Sequence, residues 1–321
     1  MPTPAIHARA LALQTPPGQN HFTKPSTAAM RDAEQRGLGS AMMVGGEFVV
    51  RPAALSGGLE LPYVEQGEQS GVPVVFLHAY ADSWRSFRLV LEQLPSSIHA
   101  FALTQRGHGD ADRPASGYGV EQFAADLAAF MEAVALEAAV LFASSSASFT
   151  VQRFAVDHPD RTLAIVLSGA PWSLRSLRDT PGASGLLQTV SNLRDPVDPD
   201  FVRQFVSSTI FRPVPAAFLE EMVGESCKLP ARVWKATLEG LLEAVPAAET
   251  ATIRAPTLVF WGERDGILPR SDGEALAAAI PDSRLMSYAD TGHMVHWEDP
   301  ERVAADVVAL AELVRLRLGA R

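Results

Sequence analysis

The sequence predicts an α/β fold, built on a mostly parallel, doubly wound sheet with helices on both faces. Apolar runs such as Val72–Leu77 and Leu163–Ser168 are typical of strands buried on both faces of a parallel sheet. Amphipathic stretches lie between such runs, and Val120–Leu136 carries one clear apolar stripe. Strands that alternate with helices in this way indicate βαβ units. The chain has 321 residues, 47% of them hydrophobic, which is enough to bury a large core.

The predicted elements fall into a core that is interrupted once. Residues 1–44 have no sustained period and many prolines, so we expect a largely irregular tail. The core occupies residues 45–171 and 251–321, and Pro62 favours an edge position for its second strand. Residues 172–250 are helical in pattern and broken by prolines, which predicts a helical cap inserted after the sixth strand. The predicted strands are Phe48–Arg51, Leu59–Val64, Val72–Leu77, His99–Leu103, Ala139–Phe142, Leu163–Ser168, Thr257–Trp261 and Arg284–Tyr288.

Capping residues and prolines mark two of the predicted helix starts. Asp198 and Pro199 begin a helix within the cap, because an aspartate N-cap followed by proline at the first helical position is a common start signal. Asp299 is the expected N-cap of the last helix, Pro300–Leu318.

Composition and charge exclude several classes of partner and site. The net charge of −10 argues against binding to nucleic acid or to an anionic membrane surface. No run of about 18 apolar residues predicts a membrane span. The single cysteine, Cys227, rules out an intrachain disulfide, and no histidine pair has convincing metal-ligand spacing. We therefore expect no metal, no cofactor and a small-molecule substrate. We expect a cytoplasmic protein, because the N-terminus lacks a secretory signal pattern. We also expect a monomer or a homodimer.

A turn rich in hydroxyl groups is the most informative stretch of the chain. The apolar residues Ala139–Phe142 run into the small residues 143–148, and a helical pattern begins at Phe149. A sharp turn from strand to helix exposes one side chain above the sheet and needs small neighbours. The N–H groups at the start of the helix favour negative charge there. Turn chemistry alone would explain any single serine here, and the competing residues are Ser144, Ser145, Ser146 and Ser148.

Carboxylates and a histidine follow two later strands. Glu263 and Asp265 come directly after the strand that ends at Trp261, and His293 follows the last predicted strand. The carboxyl ends of parallel strands are where open α/β sheets place their sites. A histidine can take the proton of a serine hydroxyl and return it to a leaving group, while a carboxylate holds the imidazole in the required tautomer. Serine, acid and histidine in this order indicate nucleophilic catalysis.

These motifs, in this order, resemble the α/β-hydrolase fold superfamily, and in particular its cap-bearing esterase and epoxide-hydrolase-like branch. The resemblance runs from about Phe48 to the C-terminus. Its matching segments are the strand ending at His78, the loop Arg106–Gly109, the His158–Arg161 segment after the serine turn, the turn Gly262–Asp265 and the pair Gly292–His293. Each segment is weak alone, and together they are highly specific.

The resemblance assigns roles to individual residues. The family turn reads small-x-Ser-x-small and a His-Pro pair closes the next helix, which places Ser145 at the nucleophile. Ser146 is then expected to supply one backbone N–H of the oxyanion hole, and Tyr80 the second. The family register favours Asp265 over the nearby Glu263 as the acid. The sequence departs from the pattern at Ala79, Ala143 and Ala147, where glycine is common in the family.

Apolar residues beside the motifs are the candidates for a substrate-binding wall. We expect four of them to contact the substrate: Trp84, Phe149, Trp172 and Met294. The cap supplies further apolar residues, which the sequence does not divide between the cap's own core and the wall: Phe201, Phe205, Phe211, Phe218, Met222 and Trp234. An apolar wall favours a hydrophobic acyl or alcohol group. His296 lies three residues after His293 and is expected to face the surface or a neighbouring loop.

These features predict a serine hydrolase that cleaves a small or medium hydrophobic carboxylic ester or lactone through an acyl-enzyme. Relatives that act on epoxides and haloalkanes carry aspartate at the nucleophile, so a serine argues against those activities. One alternative is hydrolysis of a carbon–carbon bond in a diketone with the same three residues. A second is a weakly catalytic ligand-binding receptor, motivated by the three alanines. A third is perhydrolysis as a side activity.

Overall fold

The computed structural model describes residues 48–175, 181–244 and 249–319. The predicted tail, residues 1–44, lies outside these ranges. The strands are β1 Val50–Ala54, β2 Glu60–Gln66, β3 Val72–Leu77, β4 Ile98–Leu103, β5 Ala139–Ser144, β6 Thr162–Ser168, β7 Thr257–Gly262 and β8 Ser283–Tyr288. The helices are α1 Arg88–Leu91, α2 Val120–Ala133, α3 Ala147–Asp157, α4 Pro181–Asn192, α5 Pro199–Ser207, α6 Ala216–Cys227, α7 Ala231–Glu243, α8 Arg270–Ala279, α9 Val295–Glu298 and α10 Pro300–Gly319.

The strands form one eight-stranded sheet in the order β1-β2-β4-β3-β5-β6-β7-β8. β2 pairs antiparallel with β1 and β4, and every other neighbouring pair is parallel. The predicted fold class, a mostly parallel doubly wound sheet, is confirmed. Parallel strands place their carboxyl ends at one edge of the sheet, so the loops after β3, β5, β6, β7 and β8 meet there.

The prediction of an edge position for Pro62 is wrong, because β2 has a neighbour on each side. The paired residues of β2 and β4 begin at Tyr63, opposite Leu103, one residue after the proline. Pro62 contributes only its carbonyl, which accepts a hydrogen bond of 2.8 Å from the Thr104 amide. The proline therefore costs the sheet no donor at that point, and β1 occupies the edge instead.

Two apolar clusters hold the sheet between its helices. One face packs against α2, α3 and α8, with Phe130, Phe154 and Leu276 fully buried. The other face packs against α1 and α10, where Phe142 and Val307 are fully buried. The sheet is thus apolar on both faces, which explains why its central strands read as continuous apolar runs rather than as alternating patterns.

The helices α4, α5, α6 and α7 lie in the chain between β6 and β7, the stretch for which the sequence predicts a cap. They form a third apolar cluster with residues of the loops after β3 and β8, including Ala79 and Met294. Trp234 of α7 is fully buried in this cluster and contacts Tyr80 at 5.1 Å between ring centroids. None of the helices in the described part of the chain is long and apolar enough to cross a membrane.

Substituting Phe142→Ala should lower the free energy of unfolding by about 3–5 kcal/mol, since it removes a buried ring and leaves a cavity. The Phe142 ring lies 5.3 Å from that of Phe76 and 5.4 Å from that of Phe87, centroid to centroid. Urea unfolding followed by circular dichroism measures the change. Val49→Ala is the control, because Val49 is 67% exposed. Equal losses in the two variants would contradict this account of the core.

Candidate active site

The turn between β5 and α3 holds Ser145 in a left-handed conformation, with φ of 48°. This conformation is uncommon for residues other than glycine and is typical of strained functional sites. The Ser145 amide donates a hydrogen bond of 2.8 Å to the carbonyl of Ser168, at the end of the neighbouring strand. The amide of Ser148 donates to the Ser145 carbonyl at 2.9 Å. These two bonds fix the turn on both sides of the serine.

The structure distinguishes between the four serines of the turn. Ser144 is the last residue of β5 and is 1% exposed, while Ser148 lies within α3 and is fully buried. Ser145 and Ser146 both line the main cavity. Only Ser145 hydrogen-bonds through its hydroxyl to His293, as the predicted roles require.

Ser145, His293 and Asp265 form one chain of hydrogen bonds. Nε2 of His293 lies 2.9 Å from Oγ of Ser145, and Nδ1 lies 2.8 Å from Oδ2 of Asp265. The Asp265 carboxylate can only accept hydrogen bonds, so Nδ1 carries the proton of a neutral imidazole. Nε2 is then an acceptor that faces the serine hydroxyl. This arrangement can take a proton from Ser145 and hold the resulting positive charge beside a carboxylate.

The carboxyl group of Asp265 is held by backbone donors as well as by the imidazole. Its Oδ1 accepts hydrogen bonds from the amides of Ile267 at 2.8 Å and Leu268 at 3.0 Å. The Asp265 side chain is fully buried, and the His293 side chain is 5% exposed. Both carboxyl oxygens are therefore occupied, which fixes the orientation of the imidazole. No comparable contact to the imidazole involves Glu263, whose side chain is exposed.

The loop that carries His293 is held by close packing and by a buried carboxylate. Glu298, at the end of α9, accepts hydrogen bonds from the amides of Gly292, Phe211 and Arg212, at 2.9, 3.1 and 2.7 Å. Two of these donors belong to the cap segment and one to the histidine loop. Glu298 therefore ties the residue preceding His293 to the cap.

A cavity of about 620 Å³ opens in front of Ser145 and His293. Its wall is mainly apolar and combines residues of the cap with residues of the core loops: Leu174, Leu186, Phe201, Phe205, Leu238, Leu241, Ile267, Leu268, Met294 and Trp297. Polar residues complete the lining, among them Asp82, Thr189, Asp198, Asp200, Gln204, Ser208 and Thr209. Among the residues that the structure describes, no lysine or arginine lines this cavity.

Tyr80 and Ser146, predicted to supply oxyanion amides, both line this cavity. Ser146 directly precedes α3, so its amide lies at the positive end of the helix dipole. Tyr80 follows β3, and its hydroxyl donates a hydrogen bond of 2.6 Å to the carbonyl of Trp234 in α7. Within the described ranges, neither amide has a hydrogen-bond partner. Both are available to a ligand beside Ser145.

The structure places three of the four predicted wall residues away from the cavity. Trp84 is 4% exposed, packs on Phe48 and is not part of the cavity lining. Phe149 is buried in a small cluster with Leu241 of α7 and Ala244, and Trp172 is 36% exposed at the surface. Only Met294 lines the cavity. Nearness in sequence to a motif was a poor guide, since successive residues point to different sides of an element.

The structure shows which apolar residues of the cap line the cavity and which are buried elsewhere, a division that the sequence does not give. Phe201 and Phe205 line the cavity. Phe218, Met222 and Trp234 do not line the cavity and are fully buried in the cluster that the cap forms with the core loops, and Phe211 is 54% exposed. The helical period identifies the apolar face of a helix. Whether a residue on that face lines the cavity or is buried depends on the element packed against it.

Asp82 and Ser86 form a buried polar network that the sequence analysis did not identify. Oγ of Ser86 donates a hydrogen bond of 3.0 Å to Oδ2 of Asp82 and accepts one of 2.9 Å from Nε1 of Trp297. Nε2 of His296 lies 3.0 Å from the same Oγ. Of the two positions predicted for His296, the surface is wrong, because its ring is fully buried and stacks on Phe87; the ring faces the neighbouring segment between β3 and α1. Burial, and next the nearby His293, lowers the pKa of His296 to about 3.

The buried carboxyl of Asp82 is neutral over much of the pH range. Burial is the main cause that raises its pKa to about 8. The hydrogen bond from Ser86 lowers the pKa, and the nearby charge of Glu225 raises it. A carboxyl group with this pKa retains its proton at neutral pH. It can then act as a hydrogen-bond donor as well as an acceptor.

Replacing Asp82→Asn should reduce the loss of thermal stability that occurs as pH rises from about 4 to about 8. The pKa of Asp82 is raised on folding, so between pH about 4 and about 8 the folded state holds more protons at this site than the unfolded state. The contribution of this group to the free energy of unfolding is therefore greatest below that window, and it falls as pH rises through the window. Thermal unfolding should show the Tm of Asp82→Asn gaining on wild type from pH 4 to pH 9. A gap that stays constant with pH would contradict the raised pKa.

Gly169→Ala should destabilise the protein more than Gly58→Ala. Both glycines have positive φ, 56° and 83°, so a side chain at either costs about 1–2 kcal/mol in backbone strain. A Cβ at Gly169 would also lie 2.7 Å from the carbonyl oxygen of His293, whereas one at Gly58 meets nothing within 4 Å. Urea unfolding measures both losses. Equal losses would show that Gly169 is not needed for the approach of His293.

Comparisons with known proteins identify the family. The family model described as alpha/beta hydrolase fold matches residues 72–300. AB hydrolase superfamily protein YisY of Bacillus subtilis is 26% identical over 246 residues, which is 73% of this chain and 89% of that protein. The 2-hydroxy-6-oxo-2,4-heptadienoate hydrolase of Pseudomonas putida is 27% identical over 254 residues, 76% of this chain and 90% of that protein.

Solved structures share the fold at lower sequence identity. An esterase from Exiguobacterium antarcticum superposes with a TM-score of 0.73 at 18% identity, and the match covers 82% of this chain and all of that one. Est816, described as an N-acyl homoserine lactone degrading enzyme, has a TM-score of 0.67 at 23% identity, with 81% and 99% covered. The match of the family model over most of the chain, together with the sheet order and the site at its carboxyl edge, shows that this protein belongs to the alpha/beta hydrolase fold family.

Proposed function

We propose that this hydrolase cleaves an uncharged, hydrophobic carboxylic ester or lactone of small or medium size through an acyl-enzyme. The observation that carries the proposal is the hydrogen-bonded chain Ser145–His293–Asp265 at the wall of a mainly apolar cavity. A hydroxyl within hydrogen-bond distance of an oriented imidazole is the signature of an activated nucleophile. The cavity has room for the acyl and alcohol groups of a medium-sized ester.

The acylation step uses the residues as follows. Nε2 of His293 takes the proton of Ser145 as Oγ attacks the ester carbonyl carbon, and the carbonyl oxygen becomes an oxyanion. The amides of Tyr80 and Ser146 donate hydrogen bonds to that oxyanion, and the N-terminus of α3 adds a favourable dipole. The bond to the alcohol oxygen then breaks, and the alcohol leaves with the proton from Nε2. Asp265 stabilises the imidazolium in between.

Deacylation repeats the same steps with water in place of the serine. Nε2 of His293 takes a proton from a water molecule as its oxygen attacks the acyl carbonyl, and the oxyanion is again stabilised by the amides of Tyr80 and Ser146. The bond between the acyl carbon and Oγ of Ser145 then breaks. Oγ takes the proton back from Nε2, and the carboxylic acid is released.

The charge of the cavity favours an ester over the carbon–carbon cleavage reaction. The named substrate of the Pseudomonas putida relative is a dienoate, which carries a carboxylate. In the described part of this chain the cavity presents Asp198, Asp200 and the protonated Asp82, and no lysine or arginine. An anionic substrate would lose its hydration without gaining a cationic partner. Carbon–carbon hydrolysis of a diketone with the same three residues remains the second candidate, limited to substrates without a carboxylate.

The proposal is tested with p-nitrophenyl esters of increasing chain length and with a fluorophosphonate probe. We expect turnover by the wild-type protein and covalent labelling that is lost in Ser145→Ala. Labelling that persists in Ser145→Ala would overturn the assignment of the nucleophile. Labelling of wild type without turnover of any ester, lactone or diketone would favour the ligand-binding receptor instead.

Asp265→Asn should lower kcat by on the order of 10³–10⁴-fold, because an amide no longer holds the imidazole in the tautomer that faces Ser145. Glu263→Gln is the matched control, since it makes the same chemical change two residues away. We expect its kcat to stay within about twofold of wild type, as for surface substitutions in general. Steady-state kinetics on one p-nitrophenyl ester measures both. A near-normal rate in Asp265→Asn would move the role of the acid to Glu263.

A further inference from the structure

The cavity contains one carboxyl group that the proposed mechanism does not use. Asp82 lines the same cavity as Ser145 and His293, although its side chain is only 4% exposed overall. The other two carboxyl groups of the lining, Asp198 and Asp200, belong to exposed residues at the start of α5. A charged or polar group that is buried at a cavity wall is costly to keep there unless it is hydrogen-bonded.

The hydrogen bonds of Asp82 leave one of its oxygens unused. Oδ2 accepts the hydrogen bond from Ser86, which is itself held by Trp297 and His296. For Oδ1, no partner occurs among the residues that the structure describes. The carboxyl group is thus held on one side by a seryl hydroxyl, which Trp297 and His296 fix in turn. Its other side is free to meet a molecule in the cavity.

Asp82 lies in the same loop as Tyr80, whose amide is expected to bind the oxyanion. It lies two residues after Tyr80, and its amide donates a hydrogen bond of 3.3 Å to the Ala79 carbonyl. Ala81 between them has φ of 66°, and its carbonyl accepts a hydrogen bond of 2.8 Å from Ser226 of α6. The loop that presents the Tyr80 amide therefore also presents the Asp82 carboxyl. The hydrogen bond from Ser226 ties this loop to the cap.

We propose that Asp82 is a specificity-determining residue that binds a hydroxyl group of the substrate through its free carboxyl oxygen. A neutral carboxyl group both donates and accepts hydrogen bonds, which matches the donor and acceptor of an alcohol. The raised pKa of Asp82, caused chiefly by burial, agrees with that neutral state. The proposal rests on the proposed hydrolysis of esters, and it narrows the substrate class to hydroxylated aliphatic esters.

Three esters, a parent and two derivatives that each carry one added hydroxyl group, test the proposal. Ethyl hexanoate is compared with its 3-hydroxy and 6-hydroxy derivatives, and acid release is followed by pH-stat at pH 7. We expect kcat/KM of wild type to be about 3–10-fold higher for one of the hydroxylated esters, the range that one net hydrogen bond provides. A wild-type protein that shows no preference for either hydroxylated ester overturns the proposal.

Substitutions at Asp82 identify the group that makes the discrimination. Asp82→Leu should remove the preference, while Asp82→Asn, which keeps a neutral donor and acceptor of similar shape, should retain it. Asp200→Leu, at an exposed carboxyl group of the same cavity, should leave the ratio between the esters unchanged. A preference that survives in Asp82→Leu, or that is lost equally in Asp82→Asn, contradicts recognition by a neutral carboxyl group.

A binding measurement separates this proposal from the proposed hydrolysis. In a Ser145→Ala background, isothermal titration calorimetry gives the Kd of each ester without turnover. A ratio of Kd values that favours the hydroxylated ester and disappears on adding Asp82→Leu supports the role of Asp82, even if wild type cleaves no ester. Equal Kd values in both backgrounds overturn it. Thermal unfolding of Asp82→Leu, compared with Asp82→Asn, checks that the buried network with Ser86 still folds.

Discussion

The left-handed turn at Ser145 is the constraint on which the rest of the site depends. A φ of 48° at a serine costs about 1–3 kcal/mol, and it persists because the surroundings hold it. The amide of Ser145 is bonded to β6 through Ser168, and the next residues begin α3. Ala143 and Ala147 are fully or almost fully buried on either side, so the alanines that replace the usual glycines are accommodated. The strain raises the hydroxyl of Ser145 above the sheet, to within 2.9 Å of His293.

The cap and the histidine loop are parts of one hydrogen-bonded unit. Glu298 accepts amide hydrogens from the cap at Phe211 and Arg212 and from the loop at Gly292. The Met294 amide donates a further bond of 3.2 Å to the cap carbonyl of Thr209. The contacts that position the imidazole therefore also position the wall of the cavity. Binding and proton transfer share their supporting structure, although they use different side chains.

The electrostatics of the cavity set limits on the substrate. Its wall is mainly apolar, its carboxyl groups are those of Asp82, Asp198 and Asp200, and in the described ranges it includes no lysine or arginine. Burial keeps Asp82 protonated at neutral pH, so this carboxyl group adds no negative charge to the cavity. A neutral substrate with a polar group fits this wall better than an anion, because a buried carboxylate without a cation is unfavourable. The relation to the Pseudomonas putida hydrolase thus shows a shared fold family and not a shared substrate.

The sequence by itself determined the sheet and the order of serine, acid and histidine, whereas the choice of Ser145 among four serines came from the resemblance to a known family. The sheet and this order depend on local patterns: apolar runs, tight turns with small residues, and chemistry at the ends of strands. Only the tertiary structure decided the wall of the cavity. Trp84 and Phe149 follow or adjoin motif residues, yet they pack into the protein, while Phe201 and Phe205 arrive from a distant helix. The network of Asp82, Ser86 and His296 joins residues more than 200 positions apart. A one-dimensional pattern records which face of an element is apolar, but packing decides what that face meets.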